Sequence, residues 1–339
     1  MTLSEFDFPF APTLIASEPV LPRHAARLLC LDRRSGVLSH RQVADLPDLL
    51  APGDLLVVND TKVLAARVSG RKQPAGTVVD VLFVKDLGDA VWGVMLKGHF
   101  RVGQTILFDG DASATVVQRD EAGTKIRMAS PVPVADFLRA HGRMPLPPYI
   151  KRSAQPEDQV WYQTCFADRE GAIAAPTAGL HFTPELMARL RARGVETAAV
   201  TLHVGPGTFK PVVVERIEDH QMGEEWFDVS AQTVGAILKA KQSGGRVVAV
   251  GTTVVRALES AARRSGGLQA ATGESRLFIS PGFHFTVVDA LMTNFHLPRT
   301  TLLMLVSALA GVEAMRNAYA EAVSRRYRFY SYGDAMLIL

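Results

Sequence analysis

Hydrophobic and polar positions follow different patterns in successive parts of the chain, and each pattern predicts a different kind of element. The first clear element is the apolar run at residues 54–59, which lies between a Pro-Gly pair and an Asn-Asp-Thr sequence. A short apolar run bounded by turn residues is typical of a buried strand. We therefore predict a buried strand whose carboxyl end carries polar side chains.

From about residue 63 to residue 127, short runs rich in β-branched residues follow one another with almost no helical period. Turn sequences such as Gly-Asp separate them. Many short strands at regular spacing favour a small antiparallel barrel. The predicted strands are Thr77–Val84, Ala90–Leu96, Thr105–Phe108, Ala114–Val117 and Lys125–Met128.

A proline-rich segment ends this region. One short helix is predicted at Val134–His141, and three prolines follow within residues 142–149, where they exclude both a helix and the interior of a sheet. Beyond them strands and helices alternate with short connections, which is typical of α/β folds. The predicted strands lie at residues 173–175, 195–204, 246–251 and 277–279, and the predicted helices at 184–194, 231–242, 252–264, 301–310 and 312–325.

These patterns predict an α/β fold with two domains. A mixed α/β main domain is built from both ends of the chain, at residues 1–64 and 151–339. A small antiparallel β-barrel domain is inserted into it at residues 65–150.

Composition narrows the class of protein. With 339 residues, 47% of them hydrophobic and 21% charged, the chain resembles a globular protein rather than a disordered or collagen-like one. The net charge of +3 is too small to decide for or against a nucleic-acid partner. Neither a signal sequence nor an apolar run of about 20 residues is evident. We expect a cytoplasmic protein with no membrane partner.

Several widespread catalytic motifs are absent from the sequence. It contains no GxxxxGK[ST], HExxH or GxSxG motif, and its two cysteines form no CxxC or CxxH pattern. We therefore expect no metal site. The Gly205-Pro-Gly207 turn is a poor dinucleotide-binding fingerprint, so an ordinary Rossmann fold has no specific support.

Five segments carry polar residues that folding alone does not require. The first follows the buried strand, at the edge of a sheet where α/β proteins bind ligands. Its candidate residues are Asn59, Asp60, Thr61 and Arg67. An Asx turn with a hydrogen-bonded Asp would look the same.

The second segment is AAPTAGLHF at residues 174–182, whose small residues allow a ligand to approach the backbone closely. Pro176, Thr177 and Gly179 are candidate binding residues, and His181 precedes a helix N-terminus that suits an anion. The alternative is a tight turn with a hydrogen-bonded histidine.

The third segment is TLHVGPGTF at residues 201–209, at the end of a predicted strand. His203 shares a strand face with Thr201 because strand side chains alternate. Gly205, Gly207 and Thr208 are candidate binding residues in the turn. A solvated strand face is the alternative.

The fourth and fifth segments each adjoin a predicted helix. VGTTVVRALE at residues 250–259 places Thr252, Thr253 and Arg256 where a helix N-terminus would hold a carboxylate or phosphate, unless the threonines only cap the helix. In LMTNFHLP at residues 291–298, Asn294 and His296 point the same way if the chain is extended.

The C-terminal segment RRYRFYSY at residues 325–332 combines arginines, which neutralise phosphates, with tyrosines, which stack on unpaired bases. Arg325, Arg326, Arg328 and Tyr330 are therefore candidate RNA-binding residues. An amphipathic edge strand would look similar.

Together these segments resemble one family, the S-adenosylmethionine:tRNA ribosyltransferase-isomerases of queuosine biosynthesis. The resemblance extends over essentially the whole chain, from about Phe6. The motifs that carry it are, in order, LLVVNDTKVLAARV, MPLPPYIKR, YQTCFA, AAPTAGLHF, LHVGPGTFKPV, VGTTVVRALE, LMTNFHLPRTTLLMLVSA and YRFYSYGDAML. One departure is Gly223, which stands where the family usually has a histidine.

The resemblance implies a tRNA-modifying enzyme that uses S-adenosylmethionine as the ribosyl donor and co-substrate. The acceptor is the aminomethyl group of 7-aminomethyl-7-deazaguanine at the wobble position of tRNA. Adenine and methionine leave, and the ribose isomerises to give epoxyqueuosine. The resemblance also implies an inserted barrel domain and a monomer, and no obligate protein partner is evident.

Such a reaction needs a general base, because the sulfonium acidifies the adjacent 5′ hydrogens, and a proton donor for the departing adenine. The candidates for these roles are His181, His203, His296 and Asp60. We favour His181 and His203. The segment at residues 252–256 is the candidate for binding the methionine carboxylate or a tRNA phosphate.

Two other functions stay open from the residues alone. An ordinary S-adenosylmethionine-dependent RNA methyltransferase would need a Gly-rich cofactor loop, which the sequence lacks. A non-catalytic RNA-binding module would bind tRNA in a salt-dependent way without releasing adenine.

Overall fold

The computed structural model describes residues 1–121, 123–205, 212–264 and 266–339. Within these ranges the strands are β1 Arg27–Leu31, β2 Leu38–Gln42, β3 Leu55–Asn59, β4 Thr61–Val63, β5 Arg67–Lys72, β6 Thr77–Asp86, β7 Val91–Leu96, β8 Thr105–Leu107, β9 Ser113–Asp120, β10 Gly123–Ala129, β11 Arg169–Ala172, β12 Glu196–Leu202, β13 Glu225–Val229, β14 Val247–Val250, β15 Ala271–Ser275, β16 Ala290–Asn294 and β17 Ala335–Ile338. The helices are α1 Leu46–Leu49, α2 Val134–His141, α3 Asp158–Trp161, α4 Pro184–Ala192, α5 Ala231–Gln242, α6 Thr252–Arg264, α7 Thr301–Ala310 and α8 Val312–Ser324.

A nine-stranded sheet forms the main body of the protein, in the order β15-β13-β12-β3-β14-β16-β17-β1-β2. The four central strands β12, β3, β14 and β16 are parallel to one another. Antiparallel strands flank them, because β13 pairs with β12 and β17 pairs with β16 in that orientation. The carboxyl ends of the four central strands therefore meet along one edge of the sheet.

Both faces of this sheet are buried. In β3, Leu55 and Val57 pack into one core while Leu56 and Val58 pack into the other, since successive strand residues point to opposite faces. Helices α6, α7 and α8 cover the first face, and α4 covers the second. A parallel sheet that is covered on both sides accounts for strands that read as continuous apolar runs.

Six further strands close into a barrel in the order β10-β7-β6-β5-β8-β9. Every neighbouring pair is antiparallel. Large apolar side chains such as Phe83, Ile106 and Ile126 fill its interior. The predicted fold class, a mixed α/β body with a small inserted antiparallel barrel, is confirmed. The domain borders that we place at residues 64/65 and 150/151 stay a prediction.

One predicted strand, at residues 173–175, is wrong. The strand β11 ends at Ala172, after pairing in parallel with β4 in a separate two-stranded sheet. Ile173 then enters the barrel core and Ala174 the core of the main body, so these residues are apolar because they join two cores.

The strand predicted at residues 277–279 is also wrong, since these residues have no regular structure. The strand lies earlier, at β15, and within the described ranges it is an edge strand paired with β13. An edge strand needs no continuous apolar run, so its sequence ATGES gave no strand signal.

The proline-rich segment at residues 142–152 crosses from the barrel to the main body. At its start, two backbone hydrogen bonds join it to the barrel. The Arg67 N–H donates to the Arg143 carbonyl at 3.2 Å, and the Arg143 N–H donates to the Arg67 carbonyl at 2.8 Å. Gly142 lies so close to the entering chain that an added Cβ would be 1.7 Å from the Ala65 carbonyl oxygen. Only a residue without a side chain allows this approach.

We expect Gly142→Ala to destabilise the protein by about 1–3 kcal/mol or more, because two backbone segments must separate to admit the methyl group. Urea unfolding followed by circular dichroism measures the effect. Gly235→Ala is the matched control, since that position in α5 has no neighbouring atom within 4 Å of an added Cβ and alanine favours a helix. Equal stability of Gly142→Ala and the parent chain would contradict this account.

Candidate active site

A small cavity of about 50 Å³ lies where the carboxyl ends of the central strands meet. Its wall contains residues from four of the segments that the sequence singled out, and from the C-terminal segment. The lining residues are Tyr149, Ala174, Ala175, Pro176, Thr177, Ala178, Val204, Gly251, Thr252, Thr253, Thr293, Asn294, Phe295, His296, Leu302 and Tyr330. The structure therefore brings Pro176, Thr177, Thr252, Thr253, Asn294, His296 and Tyr330 together.

The carboxamide of Asn59, at the end of β3, ties this edge of the sheet together. Its Oδ1 accepts from the backbone N–H groups of Thr61 and Leu202, both at 3.1 Å. Its Nδ2 donates to the Leu202 carbonyl at 3.0 Å and to Thr253 Oγ1 at 3.2 Å. All four hydrogen-bonding positions of the amide are filled, so Asn59 positions the first turn of α6 rather than a ligand.

Asn294, at the end of β16, connects His181 to Tyr330. Its Nδ2 donates to the Tyr330 carbonyl at 2.9 Å and lies 3.2 Å from His181 Nε2. Because a carbonyl can only accept, the amide nitrogen must face Tyr330, which makes His181 Nε2 the acceptor. Asn294 Oδ1 is then buried without a hydrogen-bond partner among the described residues.

Both histidines near the cavity are kept neutral. Burial lowers the pKa of His181 to about 3, with a further contribution from the charges of Arg23 and Arg328. Burial alone lowers the pKa of His296 to about 3. Neutral imidazole is therefore the form that either side chain presents at physiological pH.

His296 differs from His181 in lining the cavity. Its Nε2 lies 2.9 Å from Thr293 Oγ1, and its backbone N–H donates to the Tyr319 hydroxyl at 2.9 Å. Nδ1 has no hydrogen-bond partner among the described residues. His296 therefore has one ring nitrogen held by the protein and one that is available.

His203 and Asp60 belong to a neighbouring cluster outside the cavity wall. His203 Nδ1 lies 2.8 Å from Thr61 Oγ1, and its ring stacks on Trp226 with centroids 5.0 Å apart. Thr201 donates to Asp60 Oδ1 at 2.6 Å. Burial lowers the pKa of His203 and raises the pKa of Asp60. Val204, next along the chain, lines the cavity instead.

Arg256 and Gly205 line a second and larger cavity, of about 860 Å³. Arg256 is buried and forms an ion pair with Glu225, and its Nε donates to the Leu277 carbonyl at 3.2 Å. Its Nη2 has no hydrogen-bond partner among the described residues. The side chain therefore keeps a buried N–H donor that an anion could use.

The structure places the other candidates elsewhere. Arg67 lies in a groove beside the barrel. Gly179 lies in a short 3₁₀ turn, where an added Cβ would be 3.0 Å from Thr164. Gly207 and Thr208 fall outside the described residues.

The C-terminal arginines differ in exposure. Arg325 and Arg326 are exposed, and Arg325 pairs with Glu321 at 2.5 Å. Arg328 is half-buried and donates to the Glu18 carbonyl. Whether these residues bind RNA stays a prediction.

Sequence reasoning missed Tyr149 as a site residue. Its ring packs against that of Tyr330 with centroids 3.7 Å apart and planes tilted by 32°, and its hydroxyl lies 2.6 Å from Ser331 Oγ. The signal was present, because Tyr149 ends the proline-rich motif that carries part of the family resemblance. An aromatic residue after three prolines, with no strand or helix to place it, gives no hint of the cavity it lines.

The described residues contain no group of three or more His, Cys, Asp or Glu side chains arranged to hold a metal ion. None of the helices in the described ranges combines the length and the hydrophobicity that a membrane span requires.

Comparison with known proteins decides the family. Residues 3–338 match the profile of a family described as "Queuosine biosynthesis protein". The chain belongs to this family. The resemblance inferred from the sequence motifs is confirmed.

Relatives in the queuosine biosynthesis family are similar along the whole chain. Two curated proteins named S-adenosylmethionine:tRNA ribosyltransferase-isomerase, from Pelobacter propionicus and Citrifermentans bemidjiense, are 50% and 49% identical, with 100% of this chain and 100% of each relative covered. The crystal structure of S-adenosylmethionine tRNA ribosyltransferase from Thermotoga maritima is 38% identical, with a TM-score of 0.58 over 99% of this chain and 100% of that one.

The neutral histidines predict a pH dependence of stability. Since the pKa of His296 is about 3 in the folded chain and the ordinary pKa of a histidine is 6.5, unfolding takes up a proton between these values. The free energy of unfolding should therefore fall as the pH decreases from about 6.5, and His296→Gln should flatten that slope by ~1.4 kcal/mol per pH unit.

Urea unfolding at a series of pH values between these limits measures the slope. His99→Gln, which removes an exposed imidazole, is the matched control. The same slope in His296→Gln and the parent chain would show that His296 is not held neutral.

Proposed function

We propose that this chain is an S-adenosylmethionine:tRNA ribosyltransferase-isomerase that acts on tRNA in the cytoplasm as a monomer. It transfers the ribosyl group of S-adenosylmethionine to the aminomethyl group of 7-aminomethyl-7-deazaguanine at the wobble position. Adenine and methionine are released, and the product is epoxyqueuosine-tRNA. The whole-length similarity to relatives of that name supports the activity.

The observation that carries the proposal is the shared cavity at the carboxyl edge of the sheet. Residues of the PTAG, VGTT and TNFH motifs, which lie far apart in sequence, line the same wall. At about 50 Å³ the cavity is smaller than the ~300 Å³ or more that small-molecule sites usually have. We therefore expect substrate binding to widen it.

The sulfonium of the donor acidifies the neighbouring 5′ hydrogens, so the chain must supply a proton acceptor. His296 is the candidate for this role because it lines the cavity and has Nδ1 available. The Thr293 hydroxyl holds the other ring nitrogen and thereby orients the ring. Geometry thus favours His296 among the four sequence candidates, whereas His203 and Asp60 face a different cluster.

His181 acts through Asn294 in this proposal. His181 Nε2 accepts a hydrogen bond from Asn294 Nδ2, which also donates to the Tyr330 carbonyl. The Oδ1 atom of Asn294 is left without a hydrogen-bond partner among the described residues. A buried acceptor without a partner is costly unless a ligand satisfies it. We infer that a hydroxyl or amino group of the substrate donates to Asn294 Oδ1, with His181 as a positioning residue.

Arg256 is the proposed anion-binding residue. Its Nη2 provides a buried donor, and Glu225 holds the rest of the guanidinium in place. Arginine suits a carboxylate or a phosphate because it presents several N–H groups in a fixed plane. The methionine carboxylate and a tRNA phosphate share this chemistry.

A direct assay tests the function. Incubation with S-adenosylmethionine and an anticodon stem–loop that contains the precursor base should release free adenine and methionine, and ribose label should appear in the RNA. Methyl label in the RNA without adenine would identify a methyltransferase. Salt-dependent binding without adenine would identify an RNA-binding module, and either result contradicts the proposal.

Substitution of the proposed proton acceptor tests the mechanism. His296→Ala should lower kcat on the order of 10²–10⁴-fold while the chain stays folded, which is the usual contribution of acid–base catalysis. The preference drawn from sequence predicts the same loss for His181→Ala and His203→Ala. Rapid-quench measurement of adenine release separates these assignments, and full activity in any one variant removes that histidine from a catalytic role.

A further inference from the structure

A further depression, of about 750 Å³ and distinct from the two cavities described above, lies between the barrel and the proline-rich segment. The end of β7 and the turn after it form one wall, with Met95 and Lys97. Arg143 and Lys151 of the proline-rich segment form the other. We call this depression the barrel groove.

The barrel groove is strongly biased towards positive charge. Among the described residues, five cationic side chains and one acidic side chain, that of Asp80, line it. Asp80 pairs with Arg143 at 3.0 Å, and Arg152 is engaged by the buried Asp158 at 2.6 Å.

Three cations are then left for a ligand. No carboxylate within ion-pair distance is found among the described residues for Arg67, Lys97 or Lys151. Lys97 and Lys151 are also exposed. The groove thus presents charges that the protein itself does not neutralise.

Two short stretches of chain contribute neighbouring residues to the barrel groove and to the candidate active site. Pro148 lines the groove and Tyr149 lines the cavity. Ile173 and Ala174 repeat this arrangement just after the end of β11. Consecutive residues are only ~3.8 Å apart, so a polymer in the groove passes directly beside the cavity.

We propose that the barrel groove binds the sugar–phosphate backbone of the tRNA next to the nucleotide that enters the cavity. The inference rests on the proposed function for the identity of the RNA. Its support is the excess of unpaired cations, which suits a polyanion, and the continuity with the active-site wall. Half-exposed Met95 adds apolar surface that a ribose or base could cover.

The test measures RNA affinity as a function of salt. Lys97→Gln combined with Lys151→Gln removes two phosphate contacts, so the slope of log K against log salt should fall in magnitude by about 1.4 for the single-stranded anticodon loop. Affinity at moderate salt should fall by roughly tenfold. Fluorescence anisotropy with a labelled anticodon stem–loop at several KCl concentrations gives both quantities.

Lys85→Gln combined with Lys239→Gln is the matched control. It removes the same charge from exposed lysines that lie outside the groove, each in a surface ion pair. The control should keep the parent slope. Circular dichroism confirms that both double variants are folded.

Adenine release measured in the same samples separates the two proposals. Weaker RNA binding with the parent kcat at saturating RNA supports the groove. An unchanged slope and affinity overturn the groove, while continued adenine release leaves the proposed function intact. If the parent chain releases no adenine but the groove variant still loses affinity, the groove stands and the proposed function fails.

Discussion

The geometry of the candidate active site depends on the buried carboxamide of Asn59. Parallel strands bring their carboxyl ends to one edge, but they leave the loops beyond that edge unpaired. Asn59 supplies hydrogen bonds to β12 on one side and to the first turn of α6 on the other. Because the side chain is almost fully buried and completely bonded, loss of any partner leaves a polar atom without compensation. The part of the cavity wall formed by Thr253 is therefore held in place by the core.

Burial has a second consequence, which concerns charge. His181 and His296 lie within the core, where desolvation opposes the charged form, and both are neutral. Arg256 is buried as well, but Glu225 compensates its charge. The edge of the sheet thus combines two neutral imidazoles with a buried arginine whose charge is compensated. That combination suits a reaction whose donor brings its own positive charge.

Sequence reasoning predicted the elements with a simple pattern and failed where the pattern depends on distant partners. The strand β3 and the helix α6 were predictable because an apolar run and a Gly-Thr-Thr start are local signals. The strand at residues 277–279 was wrong because an edge position allows β15 to be polar. The pairing of β1 with β17, at opposite ends of the chain, has no local signal at all. The same limit applies to the site. Motifs identified Asn294, His296 and His203 as candidates, but only the fold shows that Asn294 and His296 line the cavity and that His203 lies outside its wall.

The proline-rich segment is attached to the inserted barrel at its start and to the main body further along. The Arg67–Arg143 backbone pair and the close approach at Gly142 fix the start of the segment to the barrel. The Tyr149 hydroxyl at Ser331 fixes its far part to the main body. Prolines remove backbone donors and restrict φ, so the segment needs no sheet partner between these points. Tyr149 is also part of the cavity wall, so a segment that the barrel anchors contributes to the candidate active site. The barrel therefore helps to position one wall of the candidate active site.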